Sequence, residues 1–210
     1  MDKTYSILSH GLDPRQQESY AMQFDFHVPE ALLDIDYEKL KALPRFQNDG
    51  ERQVLASVPE GDDPYMQVFP VGLEFVHRAD EPLVQWFWEQ LEGLGLHGPK
   101  QKVSLAYAPK SVPRHIDNNT GCVVAVPLHN YEHAAVWFKD RGLKLKATFK
   151  MQPGKAYILN VTQYHGLLHG KREVDYWFIR SGFLTFSYEA ALKKIRNHVV
   201  LESVPWELPY

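Results

Sequence analysis

Apolar and polar positions first alternate between Tyr20 and Val28, where Met22, Phe24, Phe26 and Val28 oppose Gln23, Asp25 and His27. That is the period of a half-buried strand, ended by Pro29. Ala31 to Leu43 places Leu32, Ile35, Leu40 and Leu43 near helical spacing, so a helix is predicted there, stopped by Pro44. Residues 45–64 predict a strand around Gln53 to Val58 between polar turns, and Gln67 to Phe75 a strand or bend. Pro82 opens the clearest helix of the chain. Leu83, Phe87, Leu91 and Leu94 make one stripe, Val84 and Trp88 widen it, and Gly93 and Gly95 end it.

From Lys102 the texture changes. Val103, Leu105 and Tyr107 alternate; residues 109–114 read as a turn; Gly121 to Leu128 is an apolar run; Ala134 to Phe138 is a further strand. Leu143, Leu145, Ala147 and Phe149 alternate with Lys144, Lys146, Thr148 and Lys150, so these lysines are the solvated face of a strand rather than a basic patch. After the turn at Pro153-Gly154 come strands at Ala156 to Val161, Tyr164 to His169 and Glu173 to Thr185. Tyr188 to Asn197 predicts a short helix, and the rest to Tyr210 a surface extension. Early helices followed by at least seven short strands point to an α+β protein: an antiparallel barrel or jelly roll braced by helices. The organisation read from this is one domain over 1–210, with a support region at 1–101, a barrel core at 102–186 and a C-terminal helix and tail at 187–210.

Composition narrows the function classes. A net charge of -3 argues against a phosphate-tracking nucleic-acid binder. Cys122 is the single cysteine, which excludes an intrachain disulfide and favours a reducing compartment. No apolar stretch resembles a signal peptide or a membrane span, so a cytoplasmic protein is expected.

Candidate chemistry gathers at His115-Ile116-Asp117, followed 48 positions after the aspartate by His165 and then by Arg172. Two imidazoles and a carboxylate form a facial triad able to hold non-haem Fe(II) and leave the opposite face open. The short motif alone is weak, because ten histidines and 26 acids in 210 residues yield about one His-x-Asp/Glu by chance. Its position carries the weight. His115 and Asp117 share a side of an extended segment, and His165 opens a late strand that a jelly roll can set beside an early one. Gly170-Lys171 predicts a tight turn, making a hairpin of the strands that carry His165 and Arg172. Arg172 and Arg180 are eight residues apart and either can point inward. A buried guanidinium there calls for an anion, which a carboxylate supplies in bidentate form.

The region from about Val103 to Phe186 resembles the Fe(II)/2-oxoglutarate-dependent dioxygenase superfamily. The likeness rests on Pro113-Arg114-His115-Ile116-Asp117, Val124-Ala125-Val126-Pro127-Leu128, Gly154-Lys155-Ala156-Tyr157-Ile158-Leu159-Asn160 and His165-Gly166-Leu167-Leu168-His169-Gly170. The run ending Val126-Pro127-Leu128 is similar to small hydroxylases of the aspartyl/asparaginyl and free-amino-acid type. The resemblance implies a double-stranded β-helix, iron carried by His115, Asp117 and His165, and 2-oxoglutarate as co-substrate beside O2. Neither Arg172, seven residues after His165, nor Arg180, fifteen after it, stands at the family's usual interval; the shorter turn favours Arg172. The implied reaction decarboxylates 2-oxoglutarate to succinate and hydroxylates a C–H bond of a small molecule, an amino acid or a protein side chain. The competing readings are a cupin-type metal dioxygenase or isomerase without 2-oxoglutarate, and a barrel that binds a ligand without catalysis.

Other residues carry plainer alternatives. Tyr107 and Asn160 are candidate hydrogen-bond partners of the co-substrate, or equally ordinary core and turn residues. Asn118 and Asn119 are at the substrate entrance or simply in a loop turn. His169 shares the face of His165 as an outer neighbour or a solvent-facing residue. His129 and His133, four apart between strands, are a weak second metal pair, and Cys122 reads as packing.

Overall fold

The computed structural model describes residues 18–42, 74–76, 82–98, 101–108, 111–117, 120–139, 146–169 and 175–207. The strands, in chain order, are β1 (Ala21–Asp25), β2 (Glu74–Val76), β3 (Lys102–Ala108), β4 (Val112–His115), β5 (Cys122–His129), β6 (Ala134–Lys139), β7 (Lys146–Phe149), β8 (Lys155–Leu159), β9 (Tyr164–His169), β10 (Tyr176–Phe183) and β11 (Glu202–Ser203). One sheet has the order β11-β1-β8-β5-β10-β3-β2 and the other β4-β9-β6-β7. Every pairing is antiparallel. From β3 to β10 the chain passes back and forth between the sheets, so that β8-β5-β10-β3 faces β4-β9-β6-β7. This is a double-stranded β-helix within an α+β fold.

The larger sheet is covered on both faces, which explains why β5 and β10 are apolar runs rather than clean alternations. Trp177, Ile179 and Phe183 join the core beneath the helices, while Tyr176 and Phe178 join the core between the sheets. The helix Pro82–Gly93 buries Leu83, Val84, Phe87 and Leu91 against the outer face. Phe87 meets Phe26 edge to face at 5.7 Å. The helix Tyr188–Ile195 adds Ala191, Leu192 and Ile195 to the same layer. Its start is set by Ser187, whose Oγ accepts from the Ala190 N–H at 3.2 Å. Between the sheets, Phe149 stacks on Tyr157 and Tyr176 on Phe178.

Four local expectations are corrected. The helix expected over Ala31–Leu43 is a 3-10 turn at Glu30–Leu32 followed by a short helix, Tyr37–Ala42. Asp36 breaks the run, because its carboxylate accepts the Lys39 N–H at 3.0 Å and so caps a new start. Residues 112–114, expected in a turn, belong with His115 to β4, which has a register shift between Val112 and His115. The hairpin expected between the His165 and Arg172 strands does not form. β9 pairs with β4 and β6, and β10 with β3 and β5, so the connection crosses between sheets instead of turning within one. The tail, finally, is structural. β11 pairs with β1 at the edge of one sheet, and Glu207 bridges to Thr148 of β7 at the edge of the other. Val204 and Trp206 pack into the core between the two sheets. The strand expected around Gln53 to Val58 lies outside the described residues.

Candidate functional site

Sheet register brings the two histidines together. His115, the last residue of β4, is the direct cross-strand partner of His165 near the start of β9. Directly opposite residues on one face of an antiparallel pair have neighbouring Cβ atoms. The side chain of His115 lies outside the described residues, and the backbone alone sets it opposite His165. Asp117 follows as the chain leaves β4, and its N–H donates to the Val161 carbonyl at 3.0 Å. That bond ties the His-x-Asp segment to the loop between β8 and β9, so all three predicted ligands belong to one end of the barrel.

His165 is buried, and its Nδ1 lies 2.9 Å from the Gln163 carbonyl oxygen. A carbonyl only accepts, so Nδ1 carries the proton and the lone pair resides on Nε2. A metal-ligating imidazole is commonly oriented this way, by a backbone carbonyl on its other nitrogen. Phe138, across from His165 on β6, holds the ring with centroids 6.0 Å apart.

Arg180 lies on the side of β10 that carries Tyr176 and Phe178, facing the opposite sheet. Its Nη2 is 3.9 Å from Asp117 Oδ2, and both side chains are mostly buried, at 17% and 20% exposure. The guanidinium also runs beside Gly182, where an added Cβ would lie 3.5 Å from Nη2. Of the two candidate arginines, Arg180 is thus set against the aspartate, and Arg172 lies outside the described residues.

The other candidates lie elsewhere. Tyr107 belongs to the helix-side core, stacked on Trp177 at 4.6 Å, so it faces away from the space between the sheets. Asn160 is a staple. Its Nδ2 donates to the Ser19 carbonyl at 2.8 Å, and its Oδ1 accepts from the Thr162 hydroxyl at 2.6 Å. His129 stacks on Tyr37, and His133 lies 3.3 Å from Glu132. Burial, with the Glu189 charge as a lesser cause, pushes the Cys122 thiol up to about 12, in keeping with a packing role. Asn118 and Asn119 are outside the described residues.

Sequence reading missed three contributors. Gln163 and Val161 act through backbone carbonyls, which leave no side-chain signature. Phe138 is indistinguishable in sequence from any other core phenylalanine. A half-open recess of about 280 Å³ adjoins the site, lined by Ile116, Thr162, Gln163 and Tyr164. Tyr176, inside the barrel, is held well above the ordinary phenol range by burial, and its hydroxyl donates to Met151 Sδ at 3.1 Å.

Among the described residues, which exclude the His115 side chain, no group of three or more His, Cys, Asp or Glu side chains could hold a metal. The donor chemistry nevertheless fits a divalent cation: a carboxylate, an imidazole presenting Nε2, and a second histidine opposite it in the sheet. No described helix is long and apolar enough to cross a membrane.

No family model and no curated protein matches the sequence. Solved structures do match in shape. The non-heme alpha ketoglutarate dependent epimerase SnoN from nogalamycin biosynthesis is similar at TM-score 0.50 and 11% identity, over 80% of this chain and 77% of that one. A Pseudomonas putida prolyl-4-hydroxylase is similar at TM-score 0.49 and 10% identity, over 88% and 97%. HygX from Streptomyces hygroscopicus, with nickel and 2-oxoglutarate bound, is similar at 0.48 and 9%, over 90% and 89%. At such identities the likeness concerns architecture alone: the chain shares the double-stranded β-helix fold.

Proposed function

We propose that this protein is a non-haem Fe(II)- and 2-oxoglutarate-dependent oxygenase that hydroxylates a small molecule or a protein side chain. The observation that carries the reading is the His115–His165 register at the barrel end where Asp117 leaves β4. His115, Asp117 and His165 would hold the metal. Arg180, beside Asp117, would take a carboxylate of the co-substrate, with Arg172 as the competing candidate.

When bound, iron and 2-oxoglutarate supply the oxidation, in which R–H, O2 and 2-oxoglutarate become R–OH, succinate and CO2. The protein's share is positional. Gln163 keeps the His165 proton on Nδ1, so Nε2 stays a ligand. The Asp117–Val161 bond holds the aspartate against the β8–β9 loop. The Arg180 guanidinium offsets the charge of Asp117 and offers planar donors to a second carboxylate.

The test is oxygen uptake and succinate release by Fe(II)-loaded protein, with and without 2-oxoglutarate, followed by a panel of amino acids and peptides. Succinate formation that depends on 2-oxoglutarate and rises with a substrate supports the reading. Oxygen uptake indifferent to 2-oxoglutarate would assign the cupin-type alternative. Lack of stoichiometric affinity for Fe(II), Mn(II) or Co(II) would leave a non-catalytic barrel.

A further inference from the structure

Two of the three proposed metal ligands are held by one short turn. Between β8 and β9 the Gln163 N–H donates to the Asn160 carbonyl at 3.2 Å, closing a four-residue turn with Val161 and Thr162 at its centre. The Val161 carbonyl accepts the Asp117 N–H at 3.0 Å, and the Gln163 carbonyl lies 2.9 Å from His165 Nδ1. The spacing of those two carbonyls therefore sets the backbone of Asp117 against the imidazole of His165. That spacing holds only as long as the turn keeps its shape.

Asn160 keeps it. The residue is polar yet only 4% exposed, and its hydrogen bonds run in every direction. Its Nδ2 donates to the Ser19 carbonyl at 2.8 Å, and its backbone N–H donates to the Tyr20 carbonyl at 2.9 Å. Its Oδ1 accepts the Thr162 hydroxyl at 2.6 Å, and its carbonyl closes the turn. The first two bonds anchor the turn to the segment before β1, and the third pins the turn's own centre. That segment is fixed in turn from the helix side, because the Tyr188 hydroxyl donates to the Glu18 carbonyl at 2.7 Å. It also reaches His165 by a second route: the Tyr20 ring packs edge to face on Phe138 at 5.6 Å, and Phe138 lies 6.0 Å from the imidazole. In a buried network of this kind, removing one member leaves the others unsatisfied and frees the turn.

We infer that Asn160 is a positioning residue for the metal centre, holding the 160–163 turn so that the Val161 and Gln163 carbonyls set Asp117 and His165 for one divalent cation. This rests on the function proposed above. Asn160 is not itself a ligand; it acts through two backbone carbonyls. Outer partners of metal ligands are worth about 10–100-fold in metal affinity, and a residue one layer further out belongs at the lower end of that range.

The experiment uses the full chain, with Co(II) titrated by its visible absorption and 15N-labelled histidine followed by NMR before metal is added. The His165 Nδ1–H signal is identified by its absence from His165→Gln. Asn160→Ala should bind Co(II) about tenfold more weakly, and its His165 Nδ1–H should exchange with water faster than in the wild type. Thr162→Val, a change at an exposed side chain, removes one bond of the network and should move both readouts the same way, by about two- to fivefold. Phe87→Ala, destabilised beneath the helix on the far side of the larger sheet, should keep wild-type Co(II) affinity and a wild-type signal. If Asn160→Ala and Thr162→Val both match the wild type in both readouts, the inference is overturned and the metal-site reading stands. Equal losses in Phe87→Ala and Asn160→Ala also overturn it, because stability alone would then account for them. Should Asn160→Ala not fold, Thr162→Val decides by the same two readouts. If the wild type does not bind Co(II), the proposed function falls and this inference with it.

Discussion

Gly166→Ala tests the pairing on which the candidate site depends. Gly166 directly follows His165 in β9, with Trp137 of β6 opposite it and β4 alongside. A Cβ built there lies 2.7 Å from Trp137 Cε2, 2.8 Å from Cζ2 and 2.7 Å from the Val112 carbonyl oxygen. The indole can tilt, but the carbonyl belongs to β4, so relief requires the two strands to part by several tenths of an ångström. Overpacking of this kind costs about 1–3 kcal/mol. For a chain of 210 residues each kcal/mol moves the melting midpoint by about 2–4 °C, so a drop of about 2–12 °C is expected. The same displacement separates position 115 from position 165, so affinity for Co(II) should fall together with stability. The assays are thermal unfolding by circular dichroism and titration with Co(II) followed by its visible absorption. A Gly166→Ala protein with wild-type midpoint and wild-type Co(II) affinity would refute the β4–β9 packing and the site built on it.

His115→Ala, Asp117→Ala and His165→Ala should each abolish metal-dependent turnover while the circular dichroism spectrum is retained; normal iron binding in both histidine variants would sink the ligand assignment. Phe87, fully buried against Phe26 and the larger sheet, should cost about 3–5 kcal/mol when replaced by alanine. Urea unfolding reads this directly, and a loss under about 1 kcal/mol would contradict the helix packing. Arg180→Ala should weaken 2-oxoglutarate by about tenfold or more, the worth of a hydrogen bond to a charged group, without loss of metal binding. If Arg172→Ala does so instead, the anchor is assigned to the wrong arginine; if neither does, 2-oxoglutarate is not the co-substrate.

Much of the fold is legible in local pattern. The helix opening at Pro82 is readable from periodicity alone, because it buries one face through Leu83, Val84, Phe87 and Leu91. Residue chemistry likewise marked His115, Asp117 and His165, since few side-chain sets have the donor types of such a site. Other features were not legible. Asp36 broke a helix that spacing favoured, because a capping carboxylate at the right offset outweighs a loosely periodic stripe. The strand after β9 looked like a hairpin partner, because Gly170-Lys171 carries turn chemistry; sheet membership depends instead on which neighbours a strand finds across the barrel.

The sequence by itself determined which residues are candidate ligands, the strand-rich core and the outer helix. Only the tertiary structure decided the rest. It set His115 opposite His165, turned Arg180 toward Asp117, put Tyr107 on the far face, spent Asn160 on the Ser19 carbonyl, and brought Trp206 back between the sheets. Each depends on contacts between residues distant in the chain, for which local spacing carries no information. The physical reason is that a strand's period tells which residues share a face, while register and sheet order decide what that face meets.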